Sequence, residues 1–324
     1  MSSNHELRVR SPLSRIICLA GLCASLLGAA TGCSPSAEVA KSTPTFDGNR
    51  AFDLLTKQVN IGPRYAGVSG HVACADLIVT ELKALADEVT LQQFRESVAG
   101  RDLTLRNIVA VFNPDAKRRV IVAAHWDSRP IADMEVDAAK RAKPIPGAND
   151  GASGVAALLE LARMFHERKP DVGVMMVFFD GEDYAVNPAS ENTMYLGSKY
   201  FAKHLDVTTK NTIAYGILLD MIGDKNLNIY QERQSVKAAP EIVKQVWDTA
   251  KSLGYEKYFI PKVKYSISDD HIPLIEAGVK CIDVIDFDYG PWHTLDDTPD
   301  KCSPDSLKIV GDVIARVIYE EKGQ

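Results

Sequence analysis

Val172-Gly173-Val174-Met175-Met176-Val177-Phe178-Phe179 runs straight into Asp180-Gly181-Glu182-Asp183. The first segment is too short for an ordinary helix and apolar at every position rather than at alternate ones, so it fits a strand covered on both faces. Working outward, Val120 to Ala124, Ile213 to Leu219 and Cys281 to Ile285 read the same way. Between and after them lie helical patterns over Gly154 to Arg168, Gly197 to His204, Glu241 to Leu253, Asp270 to Ala277 and Leu307 to Glu321. Upstream come helix-like Asn49 to Val59 and His71 to Leu85, then a hairpin-like pair, Val89 to Phe94 and Leu103 to Phe112. This order predicts a single α/β domain over residues 47–324: a central, mostly parallel or mixed twisted sheet flanked by helices on both faces.

In open sheets of this kind ligands collect beyond the carboxyl ends of the strands. After the strand-like runs come His125 and Asp127, then Gly147-Ala148-Asn149-Asp150-Gly151-Ala152-Ser153-Gly154 opening a helix, the Asp180 to Asp183 cluster, Asp220, and Trp292-His293-Thr294. Any one of these is ordinary loop or capping chemistry. Five on one sheet edge would repel each other unless a cation binds, and imidazole with carboxylate oxygen suits Zn²⁺.

The ordered set resembles metallopeptidase family twenty-eight, the zinc aminopeptidases, and within it the glutaminyl cyclases of the bacterial, animal-type group. The matching pieces are Ile61-Gly62-Pro63-Arg64 with Gly67 and Ser69-Gly70-His71, then the His-x-Asp, the Gly-Ala-Asn-Asp-Gly-Ala-Ser-Gly, the Phe-Phe-Asp-Gly-Glu-Asp, Leu218-Leu219-Asp220-Met221-Ile222-Gly223, Asp269-Asp270-His271-Ile272-Pro273 and the Trp-His-Thr. The resemblance implies Asp150, Asp183 and His293 as ligands of one zinc and Glu182 as general acid/base. It implies His125 and Asp220 as ligands of a second zinc in an aminopeptidase, with Asp150 bridging. In a cyclase, which holds one zinc, Asp220 and Asp270 instead form an acidic network beside Glu182. Asp127 resembles the carboxylate that orients His125.

Trp292 before His293 and the Asp-Asp-His-Ile-Pro run lean toward a cyclase acting on peptide N-termini; removal of N-terminal residues by a zinc aminopeptidase is the alternative. Trp126 and Trp292 are candidate aromatic walls for substrate. In the loop from Ala185 to Leu196, where cyclases carry a substrate-packing Trp, this chain has none. Gly67-Val68-Ser69-Gly70 lacks the full Gly-x-Ser-x-Gly and a preceding strand, which argues against a serine nucleophile. A binding-only descendant of the fold is disfavoured because Glu182 and every expected ligand are in place.

The chain has 324 residues, 46% hydrophobic and 25% charged, enough for one large core, and its net charge of -6 has no basic block to suggest nucleic acid. A monomer is expected. Arg8, Arg10 and Arg15 precede an apolar run from Ile16 to Ala30, the pattern of a signal peptide over residues 1–32. Leu26-Leu27-Gly28-Ala29-Ala30-Thr31-Gly32-Cys33 resembles a lipoprotein cleavage box with Ala30 at its usual Leu, Val or Ile position, which implies Cys33 as the lipidated N-terminus; a simple signal peptide cleaved after a small residue is the alternative. Residues 33–46, rich in Ser, Thr, Pro and Ala, read as a flexible tether. The expected location is therefore periplasmic or extracellular, with membrane contact through the lipid alone. Of six Cys, three remain in the mature domain: Cys74, Cys281 and Cys302. Cys281 with Cys302 is one pairing, three buried thiols the other reading. Processing should be globomycin-sensitive and the mature protein should partition into detergent; a Cys33→Ser protein processed and localised like wild type rules lipidation out.

Overall fold

Strand β4 (Arg119–His125) lies at the centre of the sheet, parallel to β5 (Gly173–Phe179) on one side and to β6 (Ile213–Asp220) on the other. Beyond β6, β9 (Cys281–Ile285) continues the parallel half. On the opposite flank β5 pairs antiparallel with β3 (Arg101–Phe112), which forms a hairpin with β2 (Glu88–Val98). The backbone of β1 (Leu7–Arg10) adds an outer antiparallel strand, giving the order β1-β2-β3-β5-β4-β6-β9. The computed structural model describes residues 7–10, 43–184 and 193–323. The cleavage box with Cys33, most of the tether and residues 185–192 of the Trp-lacking loop lie outside them.

Period-two alternation explains why these runs are apolar throughout. Val120, Val122 and Ala124 point into one core, with Val174, Met176 and Phe178 beside them, under helices α1 (Gly48–Asn60), α2 (Ser69–Lys83), α3 (Ala152–Glu167), α7 (Pro240–Ser252) and α9 (Pro304–Glu320). Ile121, Ala123, Met175, Val177 and Phe179 point into the other, against Phe201 of α4 (Leu196–His204) and Leu274 of α8 (His271–Glu276). A strand sandwiched this way has no polar face to show. The mixed sheet with helices on both faces agrees with the sequence reading.

Local chemistry sets the helix starts. Asp47 accepts hydrogen bonds from the backbone N–H groups of Asn49 and Arg50 to begin α1, and Ser303 caps α9, whose first residue is Pro304. Three features escaped the sequence reading: α5 (Val207–Thr212), α6 (Arg233–Ala238) and a small parallel sheet of β7 (Ile229–Glu232) with β8 (Phe259–Tyr265). Strand β8 reads Phe-Ile-Pro-Lys-Val-Lys-Tyr, largely exposed and interrupted by Pro261, as an edge position permits. Leu7–Arg10, within the expected leader, pairs with the outer edge of β2, whose free N–H and C=O groups accept an extended segment.

Cys74, Cys281 and Cys302 are buried free thiols, so no disulfide joins Cys281 to Cys302. Among the described residues no helix is long and apolar enough to cross a membrane. One close approach holds α3 on the sheet: a Cβ on Gly154 would stand 2.3 Å from the Leu219 carbonyl oxygen and 2.9 Å from the Ala124 side chain. Gly154→Ala should therefore lower stability by about 1–3 kcal/mol in urea unfolding. Gly290→Ala, where a Cβ meets nothing within 4 Å, should be nearly neutral, and equal losses at both positions would discount the packing argument.

Candidate metal and catalytic site

His125 ends β4, Asp220 ends β6, and Asp180 to Asp183 follow β5, so the carboxyl edge of the sheet delivers them to one place. The chain turns into α3 at Gly151, where φ is 91° and a Cβ would stand 2.6 Å from the Asp127 carbonyl oxygen. Only glycine fits that turn. It carries Asp150 over His125, with Asp150 Oδ1 3.2 Å from His125 Nε2, while Asp150 Oδ2 lies 3.6 Å from His293 Nε2. The two oxygens of one carboxylate thus face two imidazoles.

His125 Nε2 is also 3.3 Å from Asp220 Oδ1, and His293 Nε2 is 3.7 Å from Asp183 Oδ2. Each set, His125 with Asp150 and Asp220 and Asp150 with Asp183 and His293, offers three buried ligand atoms within 4.8 Å of one another. Asp183 Oδ2 is buried without a hydrogen-bond partner, an acceptor aimed where a cation would satisfy it. An imidazole with two carboxylates suits a divalent ion and leaves room for substrate. The residues present therefore fit zinc.

Three buried groups hold this constellation in place. The Asp127 carboxylate accepts from the backbone N–H groups of Glu182 (3.1 Å) and Asp183 (3.2 Å) and lies 3.6 Å from His125 Nδ1. Asp297 accepts from those of Asn149 (2.8 Å) and Asp150 (3.2 Å) and from the Tyr289 hydroxyl (2.8 Å). Arg64, fully buried, donates to the carbonyls of Pro146 (2.8 Å) and Gly147 (2.6 Å). The Gly-Pro-Arg motif is thus a brace for the Asp150 loop. His71 is likewise structural, 2.8 Å from Asp180.

A cavity of about 410 Å³ opens on the site, lined by the acidic Glu182, Asp220 and Asp269 and by the apolar Ile267, Phe287 and Trp292. Burial, then the neighbouring Asp183 charge, pushes Glu182 well above the usual carboxyl range, with His125 opposing. Asp269 is raised by burial and by Asp220. Burial alone would lower the His125 pKa, but Asp127, Asp150 and Asp220 outweigh it and raise it overall. A divalent cation would take the place of that proton.

Asp270 lies close enough to Glu182 for its charge to raise the Glu182 pKa, but it is completely buried beside Ser198, and it is the neighbouring Asp269 that lines the cavity. The pair sits just ahead of α8, where one step along the turn redirects the side chain, so adjacent Asp residues cannot be told apart by spacing. Trp126 is no substrate wall: it is fully buried, its ring 4.6 Å from His71, and its indole N–H donates to the Arg106 carbonyl. Trp292 does line the cavity and stacks on His293 at 3.8 Å. Sequence reasoning also missed Arg129, Asp133, Asp283 and Asp297. Asp283 lies within strand β9, where its run looks like plain core, yet it forms a third buried group with Asp269 and His271.

The model of peptidase family M28 matches residues 107–318. The chain belongs to that family. Among solved structures of similar fold, the Tannerella forsythia glutaminyl cyclase is 40% identical with a TM-score of 0.82, over 86% of this chain and 100% of that one. A Zn-dependent exopeptidase from Parabacteroides distasonis is 38% identical with a TM-score of 0.83, over 86% and 100%. The Drosophila melanogaster glutaminyl-peptide cyclotransferase is 28% identical over 277 residues, covering 76% of this chain and 75% of the relative. The fold of this M28 chain is that of its zinc-dependent relatives.

In this M28 chain, Asp150→Asn and Asp183→Asn should each lose tightly held zinc on dialysis. Glu182→Gln should keep it, because Glu182 belongs to neither ligand set. Metal loss in Glu182→Gln with retention in Asp183→Asn would show the two roles to be exchanged.

Proposed function

We propose that the chain is a zinc-dependent glutaminyl-peptide cyclotransferase, converting N-terminal Gln of peptides to pyroglutamate with release of ammonia. The observation that carries this reading is the group of buried carboxyls around Glu182. Burial and the charges of Asp183, Asp269 and Asp270 all raise its pKa. A residue that must accept a proton and give it back gains basicity from such a shift.

Asp150, Asp183 and His293 would hold one zinc. When bound, it supplies a Lewis acid that polarises a carbonyl. Glu182 takes a proton from the substrate's α-amine as the amine nitrogen bonds to the γ-carbonyl carbon, and returns it to the departing nitrogen as the C–NH2 bond breaks. Atoms balance, and ammonia leaves. Asp220 and Asp269, which line the same cavity as Glu182, hold the α-amine close to it. The apolar wall of Ile267, Phe287 and Trp292 excludes water that would otherwise compete as nucleophile. Export through the leader and anchoring at a lipidated Cys33 belong to the same reading, with peptide or protein N-termini as substrates and the chain a monomer.

Aminopeptidase activity is the second reading, favoured by one observation: His125, Asp150 and Asp220 form a second buried group that would hold another divalent ion. Gln-β-naphthylamide and Leu-p-nitroanilide offered in parallel separate the two. The first should yield pyroglutamyl product with a loss of about 17 Da as ammonia, and the second should be left almost untouched, since Leu has no γ-carbonyl to be attacked. One zinc per chain is expected by metal analysis. Free amino acids released from Leu at comparable rates, with two zincs, would establish the aminopeptidase instead.

A further inference from the structure

Arg129 follows β4 in the loop toward Asp150 and is 3% exposed. Its guanidinium donates to Asp133 through two nitrogens, Nε at 2.7 Å and Nη2 at 3.1 Å, and its third nitrogen donates to Asp183 Oδ1. Asp133 Oδ1 in turn lies 3.4 Å from His293 Nδ1. One buried fork therefore links two residues that face Asp150 from different loops. The backbone repeats the connection, with the Met134 N–H donating to the His293 carbonyl at 3.3 Å.

We propose that Arg129 is a positioning residue that selects which oxygen Asp183 presents and, through Asp133, fixes the rotation of the His293 ring, so that the two ligands form one rigid unit before metal arrives. The inference rests on the zinc-enzyme reading but not on the choice between cyclase and aminopeptidase. Arg129 occupies Asp183 Oδ1 and leaves Oδ2 as the buried oxygen without a partner, 3.7 Å from His293 Nε2. With one oxygen taken, Asp183 is a one-oxygen ligand. Asp133, on Nδ1, directs Nε2 of the same ring toward Asp150 and Asp183, as carboxylate partners of metal-binding His commonly do.

A lone cation beside a metal site would repel the metal, but Arg129 is not alone. Asp133 is paired bidentately with Arg129 and touches the same imidazole, so the pair brings no net charge and its Coulomb effect on an incoming ion largely cancels. What remains is orientation. Lys cannot supply it, because an ammonium is a point charge without the planar fork that grips Asp133 with two nitrogens and reaches Asp183 with a third.

The test is zinc affinity of the folded protein, measured by competition with a chromophoric chelator in the absence of substrate. Arg129→Gln should weaken zinc by about 10–100-fold, the usual cost of removing a group that orients a ligand. Asp133→Asn should weaken it in the same range, and the double variant should be little worse than the poorer single one, since both break one bridge. Arg129→Lys should recover little. Zinc held by folded Arg129→Gln as tightly as by wild type, full recovery in Arg129→Lys, or single losses that multiply in the double variant would each overturn the proposal. If Arg129→Gln fails to fold, Asp133→Asn with wild-type affinity overturns it alone. Wild-type protein that takes no zinc sinks the zinc reading and this proposal together, whereas a zinc-loaded protein inert on both substrates leaves the affinity comparison decisive for Arg129.

Discussion

Negative charge crowded at the carboxyl edge of the sheet is the constraint on which the rest of the site depends. Asp127, Asp150, Glu182, Asp183, Asp220, Asp269, Asp270 and Asp283 are all buried. A buried carboxylate without a partner is costly, so each must find hydrogen-bond donors, a cation or a proton. The structure uses all three. Backbone N–H groups satisfy Asp127, the Arg129 fork takes one oxygen of Asp183, and the imidazoles of His125 and His293 sit between the carboxylates. What is left over is the capacity to bind metal and to hold protons.

The same constraint explains why so much of the architecture is devoted to a few loops. Asp297 and Arg64 grip the Asn149-Asp150 turn from two sides, and Gly151 lets that turn pass directly over His125. Gly154 then brings α3 against β6 and β4 at van der Waals limits. A metal site tolerates only small errors in ligand position, so ligands from separate strands must be tied to one rigid frame. Here the frame is the parallel half of the sheet, buried on both faces.

The sequence by itself determined the layers. Apolar runs too short for helices and hydrophobic on both faces can only be central strands, and the acidic residues that end them mark one edge of the sheet. The core strands, the long helices and the acidic and His clusters beyond the strand ends were legible from that pattern, and the resemblance to the zinc aminopeptidases implied Asp150, Glu182, Asp183, Asp220, His125 and His293 within those clusters. Tertiary structure alone decided which of two adjacent Asp residues meets the cavity, because Asp269 and Asp270 differ by one step in a turn whose direction is set by packing. It also decided that Trp126 is core while Trp292 is wall, since both lie beyond strand ends and only their packing, on His71 or on His293, separates them. Arg129, Asp133 and Asp297 left no trace in periodicity. Their partners are distant in the chain or set by loop conformation, and a hydrogen bond across folded loops has no spacing for a sequence to display.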